Sequence, residues 1–432
     1  MSATLEPNPA RESDRPLWDV AVIGGGPAGS TVSTMLRQLG HSVVLLEKTP
    51  HPRFHIGESL LPFTLGLMRR TGFLPILEAG DFVPKWGARF VTADDKIGHT
   101  FYFSDAFTPE FPGAYQVLRS KFDHLLLEHS RSGGTDVREN HTVRDVEFGQ
   151  DRVKLKVSGA DGRPYDLEAR YLADATGRDA FLATKLNLKL PDSSLRKVAI
   201  FAHFKGALRD TGRDAGNTIS VVIRGGWIWW IPLAEGITSI GVVVDGDVFK
   251  RAKMTPDEYF GDVLRRVPAL APRLVGAERV SPVHATSDFS YGTTALCGDR
   301  WLLLGDAGFF LDPIFSSGVH LAITSGISAA EAIHARLERP DRSGAFAQYV
   351  RTMIYNQHLY RRFIYGWYEP GFLELLLSPS RKFQLLQAVT SVLAGAPRSW
   401  SLTWRLQIFL FLVRLNQRVG LVPTFDRAQL PP

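Results

Sequence analysis

The sequence predicts an α/β fold in which a parallel sheet is interleaved with an antiparallel one and followed by a helical C-terminal region. Three observations carry the prediction. An apolar run, a glycine-rich turn, a helix-like stretch and a second apolar run open the chain in that order, the pattern of a strand, helix, strand unit. Strand-like stretches separated by turn residues fill the middle. Residues 341–432 then turn to aromatic and aliphatic positions of helical character. With 432 residues, 44% of them hydrophobic, the chain can bury one large core or two interleaved ones.

Taken in order, residues 1–17 mix charge with proline. They lack the apolar stretch of a secretory signal and the Arg-rich, acid-poor character of a transit peptide, and read as a lead-in. "WDVAVI" (18–23) is a buried parallel strand running into glycines. The small and apolar stretch from Pro27 to Leu39 is a helix that Gly40 stops. "SVVLLEK" (42–48) is the second buried strand. The stretches "GARFVTAD", "VKLKVSG", "YLADATG" and "TSIGVVVD" read together as the antiparallel sheet laid beside the first. A last buried strand is expected at 301–304, then a helix from about Ser316 to Leu337. The remainder is mostly helical, with breaks at 378–380 and 394–398. The chain thus divides into a lead-in (1–17), a two-sheet module (18–340) and a helical region (341–432).

No apolar run reaches the roughly 18–20 residues of a membrane span; "LQIFLFLV" near position 410 is too short. A cytoplasmic location is expected. The single cysteine, Cys297, excludes an intrachain disulfide and a Cys-rich metal site, suits a reducing compartment and is expected to be inert. No metal is expected. The net charge of +6 is uneven: residues 351–432 hold 10 Lys/Arg against 3 Asp/Glu, leaving 40 against 41 elsewhere. A solvated helical face explains this, as does a surface for an acidic partner such as a phosphopantetheine carrier protein, or for an anionic membrane. Nucleic acid is disfavoured, because the basic residues are spaced among apolar helix positions instead of forming a block.

"VIGGGPAG" places Gly24-x-Gly26-x-x-Gly29 between a strand and a helix, and Glu47 ends the next strand, with Lys48 beside it. In a dinucleotide site Gly24 makes the tight turn, Gly26 lets the backbone approach a pyrophosphate, and Gly29 permits close helix-to-strand packing. The helix N-terminus supplies N–H donors and positive potential. Glu47 is placed to accept from a ribose hydroxyl, and its acidity disfavours a 2′-phosphate. Strand, helix, strand and acid in register make this signal strong, and FAD or NAD the cofactor.

Later segments choose between them. "YLADATGRDAF" (171–181) and "WLLLGDAGFFLDPIFSSGVHLA" (301–322) resemble the FAD-contacting segments of glutathione-reductase-type flavoproteins, in the branch of aromatic hydroxylases and halogenases. The resemblance implies Asp306 facing the ribityl and phosphate portion, and the backbone from Pro313 to Gly318 meeting the isoalloxazine. "LRSKFDHLLLEHS" (118–130) matches the helix whose arginine, here Arg119, lies near FAD. FAD is the expected cofactor. No second GxGxxG follows, so reducing equivalents are expected from outside, as reduced FAD from a separate flavin reductase.

Further matches fall together. Trp227-x-Trp229-x-Ile231-Pro232 fits the W-x-W-x-I-P motif of the flavin-dependent halogenases, "FHIGESLLP" (54–62) is similar to their flavin strap, and "PKWGARF" (84–90) to their lysine motif. "FFLDPIFSSG" (309–318) resembles the F-x-x-P-x-x-S-x-G segment of the members that act on phenols and pyrroles. The resemblance covers roughly residues 18–340.

It implies that reduced FAD, oxygen and chloride or bromide give hypohalous acid, which travels to a lysine in a separate substrate chamber, here Lys85. A desolvated ammonium has a lowered pKa and can donate or attack near neutral pH. Trp227, Trp229, Ile231 and Pro232 would wall the flavin off from substrate and water. The amides of Ser317 and Gly318, at a helix start, would hold the halide; a plain N-cap serine accounts for the same residues. Where tryptophan-acting members carry a glutamate before the serine, this chain has Phe315, which favours a self-activated phenol or pyrrole, free or tethered to a carrier protein. His320 is expected to serve helix packing or a local hydrogen bond. An FAD-dependent aromatic hydroxylase and a geranylgeranyl-reductase-like flavoenzyme are the rival readings on this scaffold, together with a non-catalytic flavoprotein whose tail docks a partner.

Overall fold

In the computed structural model, residues 17–422 are described, apart from 288, 343, 370 and 381, together with residue 430. The expected lead-in therefore lies outside the described residues except for Leu17, which starts the first strand. The longer helices are α1 (Pro27–Gln38), α2 (Pro62–Arg70), α3 (Arg119–Ser132), α4 (Pro256–Arg266), α5 (Gly318–Glu338), α6 (Gly344–Tyr368), α7 (Leu385–Leu393) and α8 (Trp400–Val419). Among the described residues no helix is long and apolar enough to cross a membrane.

The first sheet has a parallel centre. Leu17–Ile23 pairs in parallel with Val43–Glu47 on one side and with Pro164–Asp174 on the other. Asp136–Glu139 extends the first flank and Trp301–Leu303 pairs with Pro164–Asp174, both again in parallel. The central strands bury both faces, which is why they read as unbroken apolar runs. α1 crosses between the first two strands, with Gly40 beyond its end at φ +88°, as the sequence predicts.

The second sheet has eight strands. Its centre runs Lys197–Lys205, Ile237–Asp245, Gly226–Pro232, Thr218–Ile223, and Gly87–Thr92 and Gly98–Tyr102 continue it. All pairings along this run are antiparallel except that between Thr218–Ile223 and Gly87–Thr92. One face packs onto the main core; the other, with Ile228 and Trp230, is covered by α4. A Thr255–Glu258 capping box starts α4.

Two expected members of this sheet belong elsewhere. Val153–Ser158 and Pro164–Asp174 lie in the first sheet, where the former forms an antiparallel edge with Thr142–Phe148. Alternation identified them as strands. The choice of sheet depends on partners far along the chain, which period-2 patterning does not encode.

The C-terminal region is helical, and its breaks after Leu377 and Leu393 match the sequence reading. α6 to α8 enclose an aromatic cluster: Phe363 meets Phe315, Phe372 and Phe409, and Trp367 meets Phe90 and Phe315.

Candidate active site

A cavity of about 1120 Å³ is lined from both sheets. Its wall includes Gly24, Gly26, Glu47, Lys48, Arg119, Asp306, Pro313, Ser317, Gly318, Trp227, Trp229 and Ile231, so residues scattered over 295 positions of sequence meet at one site. Gly29, Pro232 and Lys85 stand outside that wall, each for a different reason.

The three glycines have different surroundings. Gly24 has φ +99°, and a Cβ there would meet the Ala175 carbonyl oxygen at 2.4 Å. A Cβ on Gly29 would lie 1.9 Å from the Gly24 carbonyl oxygen, so this glycine serves packing beneath the turn. Gly26 differs: the nearest atom to its Cβ position is the Arg53 guanidinium, 3.8 Å away. The protein leaves space at Gly26, beside the start of α1 and a cation, where a pyrophosphate would approach.

Glu47 is buried and braces this turn. Its Oε2 accepts from the Gly25 amide at 2.7 Å, and its Oε1 accepts from the Thr49 amide and hydroxyl at 2.9 Å each. A carboxylate has about four acceptor positions, so one is left for a ribose hydroxyl. Lys48 pairs with Asp179 at the exposed edge of the cavity.

The strap crosses the cavity wall and is tied down from several sides. Arg119 donates to the carbonyls of Ile56 (2.7 Å) and Gly57 (3.2 Å), and pairs in bidentate fashion with Asp123 at 2.7 and 2.9 Å. Burial opposes its charge, but Asp123 outweighs burial and holds the guanidinium above its ordinary range. Glu58, also lining the cavity, bonds His203 Nε2 through Oε1 at 2.8 Å, while its buried Oε2 has no protein partner. A buried carboxylate oxygen without a protein partner, on a residue that lines the cavity, is a polar group with bonding capacity to spare.

At the far wall, burial pushes the Asp306 carboxyl up to about 6, against the pull of Arg119 and Arg178. Residues Pro313–Phe315 form a short 3-10 turn, Ser316 sits at φ 54°, and α5 starts at Gly318. The Ser317 hydroxyl makes no cap hydrogen bond, so the plain N-cap reading does not hold. Gly318 faces open space, with no atom within 4 Å of a Cβ. Uncapped amides beside open space are what a halide at this helix start requires.

Strand alternation sorts the tryptophans. Trp227, Trp229 and Ile231 face the cavity, whereas Trp230 packs on the opposite face of the sheet. Pro232 ends the strand and does not line the cavity. The Trp227 indole donates to Tyr368 Oη at 3.1 Å, and Tyr368 donates to Asp312 at 2.7 Å. Burial pushes Asp312 up to about 6, against the hydrogen bonds from Tyr368 and the Ile314 amide. A Tyr in the last turn of α6 thereby fixes the ring of a strand residue 141 positions earlier.

Lys85 is 1% exposed. Its ammonium donates to Ser59 Oγ at 2.7 Å and to the Leu60 carbonyl at 3.3 Å, and lies 5.0 Å from the centre of the Phe103 ring. Burial brings its pKa down to about 7. The amine stands behind the strap: Ser59 lines the cavity, and Lys85 is one hydrogen bond further in.

Sequence reasoning missed Arg53, Glu58, Asp123, Asp312 and Tyr368. Glu58 lies within the strap segment and Arg53 just before it, where their chemistry was visible but their direction was not. Phe315 is buried against Phe90, Phe363 and Trp367. His320 bonds Thr64 Oγ1 at 3.0 Å, and burial lowers its pKa to about 4, a packing role as expected. Cys297 is half-buried and its thiol pKa is raised by burial. Outside the cavity wall, His41 and His334 share a 2.8 Å hydrogen bond, which accounts for their approach; Glu338 lies within 4.8 Å of both.

Comparison with known proteins adds four findings. A family model for an FAD binding domain matches residues 18–351. A 1H-pyrrole-2-carbonyl-(peptidyl-carrier protein) chlorinase of Pseudomonas fluorescens is 32% identical over 374 residues, covering 82% of each chain. Among solved structures, a flavoprotein/dehydrogenase from Cytophaga hutchinsonii superposes with a TM-score of 0.87 at 29% identity, covering 93% of this chain and 99% of its own. A flavin-dependent brominase superposes with a TM-score of 0.84 at 28% identity, covering 93% of this chain and 100% of its own.

Proposed function

The chain belongs to the flavin-dependent halogenases, and from that premise we propose that it halogenates an electron-rich ring, a pyrrole or phenol, through hypohalous acid relayed to Lys85. Bound in reduced form, FAD supplies the electrons with which oxygen and chloride or bromide become that oxidant. The residues supply containment, an anion site and a receiving amine.

FAD fits the residues present. The open space at Gly26, Arg53 beside it, the remaining acceptor of Glu47 and a cavity of about 1120 Å³ suit a dinucleotide. The open helix start at Ser317 and Gly318 suits a halide. Trp227, Trp229 and Ile231 close one side with apolar surface that excludes water. The observation that carries the proposal is Lys85. A buried amine with a pKa near 7 is present in both forms at neutral pH, so it can donate a hydrogen bond to hypohalous acid or attack it.

The chlorinase relative acts on a pyrrole-2-carbonyl group held by a peptidyl carrier protein, which supports a carrier-tethered substrate here. The surplus of arginine after residue 350 and the exposed Trp400 and Phe411 of α8 suit an acidic carrier. Electrons would come as reduced FAD from a separate reductase.

The test is mass spectrometry of turnovers with reduced FAD, oxygen and each halide, using pyrroles and phenols both free and as carrier thioesters. A halogen isotope pattern that disappears in Lys85→Ala, with FAD binding kept, is the expected result. Oxygenated products without halide would show a hydroxylase instead.

A further inference from the structure

A buried amine that takes and gives protons needs a route for them. Lys85 has none directly to solvent: it is enclosed by the strap, the Phe103 ring and the paired strands Val83–Lys85 and Ala114–Gln116. We infer that Ser59 and Thr218 form a two-hydroxyl proton wire joining the Lys85 amine to the flavin cavity. The inference rests on the Lys85 reading above and adds residues that neither the motifs nor the comparisons assign.

The distances make a continuous chain. Lys85 Nζ lies 2.7 Å from Ser59 Oγ, and Ser59 Oγ lies 3.1 Å from Thr218 Oγ1. Both hydroxyl residues line the cavity and the lysine does not. Gln116 fixes the far end: its Nε2 donates to Thr218 Oγ1 and to the Gly216 carbonyl, each at 2.9 Å. Since that amide spends its hydrogens in this way, Thr218 cannot donate to it. Two hydroxyls carry two hydrogens, and one lies in the bond between them. With Lys85 charged, the other has no protein partner among the described residues and is left at the cavity wall.

The chain can run in either direction. With Lys85 charged, its ammonium donates to Ser59, Ser59 to Thr218, and Thr218 offers its hydrogen to the cavity. With Lys85 neutral, Nζ keeps two hydrogens, one of them for the Leu60 carbonyl, and its lone pair accepts from Ser59, which accepts from Thr218. Passing between these states moves one proton from Nζ to Ser59 Oγ, one from Ser59 to Thr218 Oγ1, and one from Thr218 to a cavity water. One proton leaves the amine, one reaches the water, and no other bond changes.

The groups that face Lys85 are Ser59, the Leu60 carbonyl and the Phe103 ring; burial alone sets the shift of its pKa, without a charged neighbour. Glu58, on the strap, is paired with His203 of the Lys197–Lys205 strand.

The two hydroxyls separate in a test on FAD-loaded protein carrying 13C-labelled lysine, with the Lys85 signal identified by its loss in Lys85→Ala. Ser59→Ala removes a charge-assisted bond from the ammonium and a weaker neutral one from the amine. The Lys85 midpoint should fall by about one pH unit, the difference between those two bonds. Thr218→Val, of nearly the same shape, keeps the Lys85–Ser59 contact and cuts the wire. Its midpoint should stay near 7 while halogenation falls roughly a hundredfold, as loss of a proton-transfer group does. An unchanged midpoint in Ser59→Ala, or wild-type halogenation by Thr218→Val where Lys85→Ala is inactive, overturns the wire. Full halogenation by Lys85→Ala overturns the functional reading of Lys85 instead, and the midpoint in Ser59→Ala still decides whether Ser59 sets the state of the amine.

Discussion

Replacing Lys85 by methionine should stabilise the FAD-free protein near neutral pH and destabilise it at high pH. The folded amine titrates at about 7 and the unfolded one near its ordinary 10.5. Below pH 7 both states are charged, and the folded chain bears the whole cost of a buried ammonium, about 5 kcal/mol for that gap. Between pH 7 and 10.5 the unfolded chain holds more protons than the folded one, so wild-type stability rises with pH across this window. Methionine removes the cost. It also leaves Ser59 Oγ and the Leu60 carbonyl without their donor, a pH-independent loss of about 1–3 kcal/mol. The variant should therefore gain about 2–4 kcal/mol at pH 6–7 and lose about 1–3 kcal/mol by pH 10.5. Denaturant unfolding of both proteins from pH 6 to 10.5 measures the difference, in which all other titrations cancel. A difference that stays flat with pH would mean that the amine is solvated in the folded state, and the argument for its reactivity would go with it.

Other perturbations test the rest of the site. Gly26→Ala and Gly29→Ala should part company: the first keeps the stability of the FAD-free protein to within about 1 kcal/mol and weakens FAD roughly tenfold or more by flavin titration, whereas the second costs about 1–3 kcal/mol of stability through overpacking against the Gly24 carbonyl. Phe315→Ala should cost about 3–5 kcal/mol by emptying the centre of the aromatic cluster; thermal unfolding reads it, and a loss below 1 kcal/mol would show the cluster to be loosely packed. Tyr368→Phe takes the donor from Asp312 and the acceptor from the Trp227 indole. It should lower stability by about 1–3 kcal/mol and raise the share of oxygenated or unproductive turnover, if that tyrosine steadies the tryptophan wall; an unchanged product ratio would remove the steadying role.

The glycine turn was legible because each glycine answers a backbone requirement that acts within a few residues. The tryptophan motif was legible for a related reason, since alternation alone puts Trp227, Trp229 and Ile231 on one face and Trp230 on the other. The assignment of Val153–Ser158 and Pro164–Asp174 to the wrong sheet shows where such reasoning stops: pattern makes a strand, and pairing chooses its neighbours. Asp312 and Tyr368 stood in plain view in the sequence, but neither residue type predicts that one will hold the other across 56 positions.

By itself the sequence determined the order of elements, the nucleotide turn, and which side chains are candidates for reactive chemistry, because these follow from local backbone geometry, periodicity and residue type. Only the tertiary structure decided what surrounds each of them. Lys85 is an ordinary surface cation until the strap and Phe103 exclude water from it, and Ser59 and Thr218, 159 residues apart, become one hydrogen-bonded path only when the strap lies against the second sheet. Desolvation and hydrogen bonding depend on what the folded chain brings within a few ångströms, and separation along the sequence does not set that distance.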